Sequence, residues 1–190
     1  MIINKKSYSQ GFTLIELLVV VAIIGLLASI AVVALQSARG EARDTKRIAD
    51  MKQIYTALQI YNDKYGEFPT DISNGLLNCG GPPPMGWIRS GYTGNGENFL
   101  AELELDGIMT QVPVDPIKKD IPGIPDYCYG YFRFGAGYNG CDATRGNYFV
   151  LMIKDLETWD GPGPHPTSPG WRCAGGDWTG YEWAIGSYEN

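Results

Sequence analysis

Hydrophobic residues dominate the chain near its start. From Phe12 to Leu35 every residue is apolar, small or hydroxylated except Glu16, and the next charge is Arg39. A helix of ~20 such residues spans a hydrocarbon core of ~30 Å. Beyond this run the pattern changes period. Ile48, Met51, Ile54, Tyr55, Leu58, Tyr61 and Tyr65 recur at spacings of three and four, with Asp44, Arg47, Lys52, Gln53 and Asn62 assigned to the opposite face. That spacing defines one packed face of an α-helix. No proline falls between Gln36 and Tyr65, and Gly40 is the only glycine there. Gly66 is suited to a left-handed stop, and Pro69 bars continuation. The pattern predicts one helix from Phe12 to Tyr65, roughly 80 Å long at 1.5 Å per residue. Its first half has no polar face and needs lipid or other protein around it.

Residues 66–190 are rich in Gly, Pro, Tyr and Trp, which suits short strands and long connections. Residues 97–105 read as a short amphipathic helix ended by Asp106-Gly107. The segment Val112-Pro113-Val114-Asp115-Pro116 is held extended by its prolines. Strands are expected at Tyr127–Phe134, Asn147–Lys154 and Tyr181–Ile185, giving an antiparallel sheet of about three strands. Residues 155–180 contain too many breakers for regular structure and read as a surface loop, where function often lies. The expected class is α+β: a long N-terminal helix packed on a small antiparallel sheet. Four segments follow: 1–11, 12–35 (membrane-spanning by length and composition), 36–65 (amphipathic continuation) and 66–190 (globular head).

Charge and rare residues narrow the function. Residues 66–190 carry 16 acidic and 7 basic side chains, a net charge of −9. Such a surface repels phosphate, so nucleic acid is a poor partner; Lys118 and Lys119 form one local basic pair. His165 is the only histidine and lies between two prolines. No Ser-His-Asp order, Cys-His pair or phosphate loop is evident, so no enzyme is expected. Cys79, Cys128, Cys141 and Cys173 all lie beyond the long helix. Four cysteines outside a membrane suggest two disulfides, in one of three connectivities, and the absence of CxxC argues against zinc. A local Cys128–Cys141 bridge is one sensible pairing. Trp159, Trp171, Trp178 and Trp183 suit either a small core or a sugar- or subunit-contact surface.

Residues 1–11, MIINKKSYSQG, are polar and end in glycine. A secretory signal would have a shorter apolar stretch and a small-residue cleavage site. Lys5 and Lys6 place this end in the cytoplasm by the positive-inside rule, whereas Arg39, Arg43, Lys46 and Arg47 on the far side oppose it. A carboxylate inside the span costs roughly 2.5–3.5 kcal/mol, which makes Glu16 a functional residue by default.

The stretch Gly11-Phe12-Thr13-Leu14-Ile15-Glu16-Leu17-Leu18-Val19-Val20 resembles the processing site of type IV prepilins and type II secretion pseudopilins. The resemblance implies cleavage between Gly11 and Phe12 by a membrane-embedded prepilin peptidase, and N-methylation of Phe12 by the same enzyme. It also implies that Glu16 acts in assembly. Cleavage would free an α-amine of pKa about 7.7–8.0 on Phe12. Glu16 of a neighbouring copy is its expected partner, and a buried charge pair of this kind serves register more than stability. The family implies a single-pass inner-membrane precursor surrounded by lipid and passed to an assembly platform and ATPase. Its mature head is periplasmic or extracellular, and its main partner is itself. Many type IV pilins have a proline in the membrane half of the helix; here Gly25 and Gly40 are the only weak points. The VPVDP segment is similar to an element of the major pseudopilins. The pilin habit favours a Cys141–Cys173 staple of a C-terminal loop, and related pseudopilins bind calcium there, with Asp155, Glu157, Asp160 and Asp177 as available oxygen ligands. The expected function is a structural subunit of a type IV pilus-like filament. The alternatives are a major-type pseudopilin of a type II secretion system and a membrane-tethered adhesin. A tip adhesin often lacks the glutamate, so Glu16 favours the shaft.

Overall fold

The computed structural model describes residues 12–70, 88–89, 100–117 and 129–189. The chain divides into two compact units, Met1–Arg39 and Gly40–Asn190. One helix, α1, covers Leu14–Tyr65, as the two apolar patterns predict. It ends where expected: Gly66 adopts φ +75° and its N–H donates to the Asn62 carbonyl at 2.7 Å.

Within the first unit the described helix has no buried side chain. Phe12 is 82% exposed and Leu14 88%. Length and composition make this the one described helix suited to crossing a membrane.

In the second unit a four-stranded antiparallel sheet has the order β1-β2-β3-β6: Ile88–Arg89, Tyr129–Phe134, Tyr148–Ile153 and Trp183–Tyr188. The expected three strands are present, and β1 is added at one edge. The last strand starts two residues later than its apolar run suggests. A five-residue helix, α2 (Ala101–Leu105), lies within the expected span. The sheet buries both faces. On one, Tyr129, Tyr131, Phe149, Leu151, Ile153 and Trp183 meet Met51, Ile54 and Leu58 of α1. On the other, Phe134, Tyr148, Val150, Met152 and Ala184 meet Trp178, with Trp171 packed alongside. β3 is therefore buried at every position, and its run YFVLMI is continuously apolar rather than alternating.

Two features differ from expectation. Residues 155–180 are not simply a surface loop: they include the hairpin β4–β5 (Arg172–Cys173 and Gly176–Asp177), and Trp178 is buried. Trp171 fits because Gly186 on β6 has no side chain; a Cβ there would stand 2.5 Å from the indole. The same segment covers the free edge of β6, with His165 N–H donating to the Glu182 carbonyl and Gly170 N–H to the Ala184 carbonyl. The second difference lies in α1. Asp44 and Arg47 are buried on its packed face rather than solvated opposite it, and Tyr65 is half-exposed. The physical reason is mutual neutralisation, since the two side chains form an ion pair at 2.7 Å.

Candidate functional site

Thr13 and Glu16 close the start of α1 on each other. The Thr13 N–H donates to Glu16 Oε2 at 2.8 Å, and its hydroxyl donates to the same oxygen at 2.7 Å. In return the Glu16 N–H donates to Thr13 Oγ1 at 3.3 Å. This reciprocal arrangement is a capping box, which satisfies donors a helix start leaves unpaired. A carboxylate in the first turn is also favoured by the helix dipole. Both hydrogen bonds to the Glu16 carboxylate go to Oε2, so Oε1 has no partner among the described residues. Phe12 is exposed nearby. Gly11, and with it the expected scissile bond, lies outside the described residues.

A second polar centre, whose helix residues Asp44 and Arg47 are expected on the solvent side, lies within the second unit. Arg47 has no exposed surface, yet its guanidinium meets three carboxylates. Nε donates to Asp115 at 2.7 Å, and Nη1 donates to Asp44 at 2.7 Å and to Glu157 at 2.6 Å. Asp44 in turn accepts from the Glu157 and Thr158 N–H groups and the Thr158 hydroxyl. Arg43 also pairs with Glu157. One turn further on, Tyr129 donates to buried Asp50 at 2.8 Å, and Lys46 reaches the same carboxylate from outside. Burial opposes the charge on Arg47, but its three carboxylates hold the guanidinium protonated well beyond its ordinary range. Burial would likewise push the Glu157 carboxyl up; hydrogen bonds from Arg43 and Arg47 outweigh it and hold it below its usual value. The cluster fastens the helix segment 43–50 to the VPVDP segment through Asp115 and to residues 157–158. A signal was present in the sequence: Gly40, Asp44, Arg47, Met51, Ile54 and Leu58 keep the three-and-four spacing, so the charges continue the buried stripe. Gly40 belongs to it, since a Cβ there would lie 2.8 Å from Thr158 Cγ2.

Cys141 and Cys173 form a disulfide joining the turn after β2 to the β4–β5 hairpin. Cys79 and Cys128 lie outside the described residues. The expected calcium ligands are not brought together. Glu157 is committed to Arg43 and Arg47. Asp177 accepts from Thr179 and pairs with Arg172 at 3.0 Å, while Asp155 stands 3.8 Å from Lys154. Asp160 is exposed. Among the described residues no group of three or more such ligands is placed to hold a metal ion.

Residues 6–32 match the family model of the prokaryotic N-terminal methylation motif. The chain is 34% identical over 162 residues to type II secretion system core protein G of Pseudomonas aeruginosa, covering 82% of this chain and 99% of that protein. It is 34% identical over 137 residues to the type IV major fimbrial protein FimA of Dichelobacter nodosus, covering 70% and 71% of the two chains. It is 37% identical over 67 residues to the type IV major pilin protein PilA of Myxococcus xanthus, covering 34% of this chain and 30% of that one. No solved structure matches the chain. Identity reaches well past the methylation motif into the head, and the fold is a long helix with a small antiparallel sheet: the chain belongs to the family of type IV pilins and type II secretion pseudopilins.

Proposed function

We propose that this chain is a structural subunit of a pilus-like filament, cleaved between Gly11 and Phe12, methylated on Phe12 and assembled through its N-terminal helix. The observation that carries this is the state of Glu16. It is the only charge between Phe12 and Leu35, and only one of its carboxylate oxygens is used among the described residues. Cleavage supplies a donor for the other, since a new α-amine on Phe12 is largely cationic at neutral pH. The Phe12 amine of one copy meets Oε1 of Glu16 in the next, while Thr13 keeps Oε2. The apolar surfaces of the stems exchange lipid for one another. Prepilin peptidase, an assembly platform and its ATPase are the partners this sequence of events requires. The head has a structural role and no catalytic one.

Substituting Glu16 tests the proposal. Glu16→Ala should retain cleavage and membrane insertion and lose filaments; abundant filaments from the variant would contradict the assembly role. A second reading, a pseudopilin of a type II secretion system, is favoured by the relative matched over 99% of its length. Deletion of the gene separates the two: loss of exported enzymes from the medium indicates the pseudopilin, and loss of surface fibres with secretion intact indicates the pilus.

A further inference from the structure

Among the described residues of the second unit, most cations are paired internally. On α1, Arg43 pairs with Glu157, Lys46 with Asp50, Arg47 with Asp44, Asp115 and Glu157, and Lys64 with Asp106. Lys52 is the one cation between Gly40 and Tyr65 with no partner among the described residues. It stands on the exposed side of the helix, where Thr45, Ala49, Gln53 and Thr56 are also exposed. Thr45, Ala49 and Thr56 are short and leave room for another backbone to approach.

The head shows the complementary vacancy in charge. Arg133 takes Glu67 and Glu189, Lys154 takes Asp155, and Arg172 takes Asp177. Asp142 is held by Thr144, and Glu182 accepts the Leu156 N–H. Asp160 is exposed and accepts nothing among the described residues. Its loop is already ordered. The neighbouring Trp159 donates from Nε1 to the Gly163 carbonyl at 3.0 Å, stacks edge-on against His165, and packs on Gly161. An ordered loop gives up little entropy on docking. With a net charge of −9 in residues 66–190, the head of a second copy is the acidic surface at hand.

We infer that the exposed side of α1 around Lys52 is a docking face for the head of a second copy, with Lys52 pairing with Asp160 of that copy. The pairing rests on the filament function proposed for the chain. It sets the lateral register of the heads, as the Glu16 contact sets that of the stems.

Charge reversal in cells that assemble the filament provides the test, with Lys52→Glu, Asp160→Lys, the double variant and Glu16→Ala compared. Sheared filaments are quantified, cleavage is followed by intact mass, and folding by melting of the full chain in detergent. Both positions are exposed, so melting should not move. Each single reversal should lower filament yield by about tenfold, the equivalent of roughly 1.4 kcal/mol. The double variant should return it to within about threefold of wild type, on the same scale. Single variants that assemble normally overturn the inference. So does a loss at Lys52→Glu that Asp160→Lys fails to rescue, which would assign the face to a different protein. Normal assembly of Lys52→Glu beside failure of Glu16→Ala removes the docking face and leaves the filament function intact. Wild-type cells with a cleaved chain and no filaments overturn both.

Discussion

Arg47 holds three carboxylates in the head, and its removal would leave them facing one another without a counter-charge. Breaking a buried ion cluster from one side costs about 3–5 kcal/mol, because the remaining charges stay desolvated. Arg47→Met should therefore lower the unfolding free energy of the full chain in detergent by that amount, as read by chemical denaturation. Arg47→Lys should recover little, since one ammonium cannot reproduce the fork that reaches Asp115 and Asp44 together. Glu157 gives the cluster a pH dependence. Its folded pKa is depressed, so its contribution is present above the unfolded value of about 4.3 and is lost as pH falls through the folded one. Melting temperature should fall on acidification below about pH 4.3, and Glu157→Gln should flatten that dependence while lowering stability at neutral pH. Glu182 acts with the opposite sign. Burial raises its pKa, the Leu156 N–H bond opposes this, and Asp155 and Asp44 add to the rise. Its contribution is present at low pH and lost as pH rises through the folded value. These charged residues are the hardest to assign from sequence. Asp44 and Arg47 lie on the buried stripe by spacing, but a charged residue is ordinarily assigned to the solvent side unless its partner is known. Asp115 and Glu157 are 68 and 110 residues away from Arg47, beyond any local pattern.

Elements whose identity depends on local periodicity are readable from the sequence. The uninterrupted apolar run and the three-and-four spacing predict α1 to within two residues at its start and to the residue at Tyr65. β2 and β3 follow from aromatic and aliphatic runs. β1 is only two residues long, and β4–β5 is a two-residue ladder among glycines, so neither carries a pattern of its own. The hairpin depends instead on Cys141–Cys173, which closes a span of 32 residues. Losing that bridge should cost about 2–4 kcal/mol. Cys141→Ser should accordingly melt earlier and expose Trp178, visible as a red shift in tryptophan fluorescence. The two helix glycines make a paired test of packing. Nothing lies within 4 Å of a Cβ added at Gly25, so Gly25→Ala should stabilise the helix by up to about 1 kcal/mol. At Gly40 the same gain meets Thr158 Cγ2 at 2.8 Å, and Thr158 is held in place by Asp44. Overpacking of about 1–3 kcal/mol outweighs propensity there, so Gly40→Ala should lower the melting temperature by circular dichroism.

For the whole molecule, the two units meet opposite demands. The described residues from Gly40 onward bury a sheet on both faces and pair most of their cations internally. The described residues before Gly40 bury nothing and carry one carboxylate, with one oxygen unused among the described residues. This division is visible in the sequence as a change from a continuous apolar run to an amphipathic one, and the motif from Gly11 to Glu16 is by itself enough to indicate the family. In the assembly proposed above, cleavage would turn the exposed stem from a membrane anchor into an assembly element, because it would create an amine for Glu16. The most direct measurement is therefore the intact mass and N-terminal sequence of the chain purified from wild-type cells. A chain beginning at Phe12, heavier than the unmodified sequence by one methyl group, is the predicted result. A chain beginning at Met1 would contradict it and leave a membrane-tethered head with no filament role.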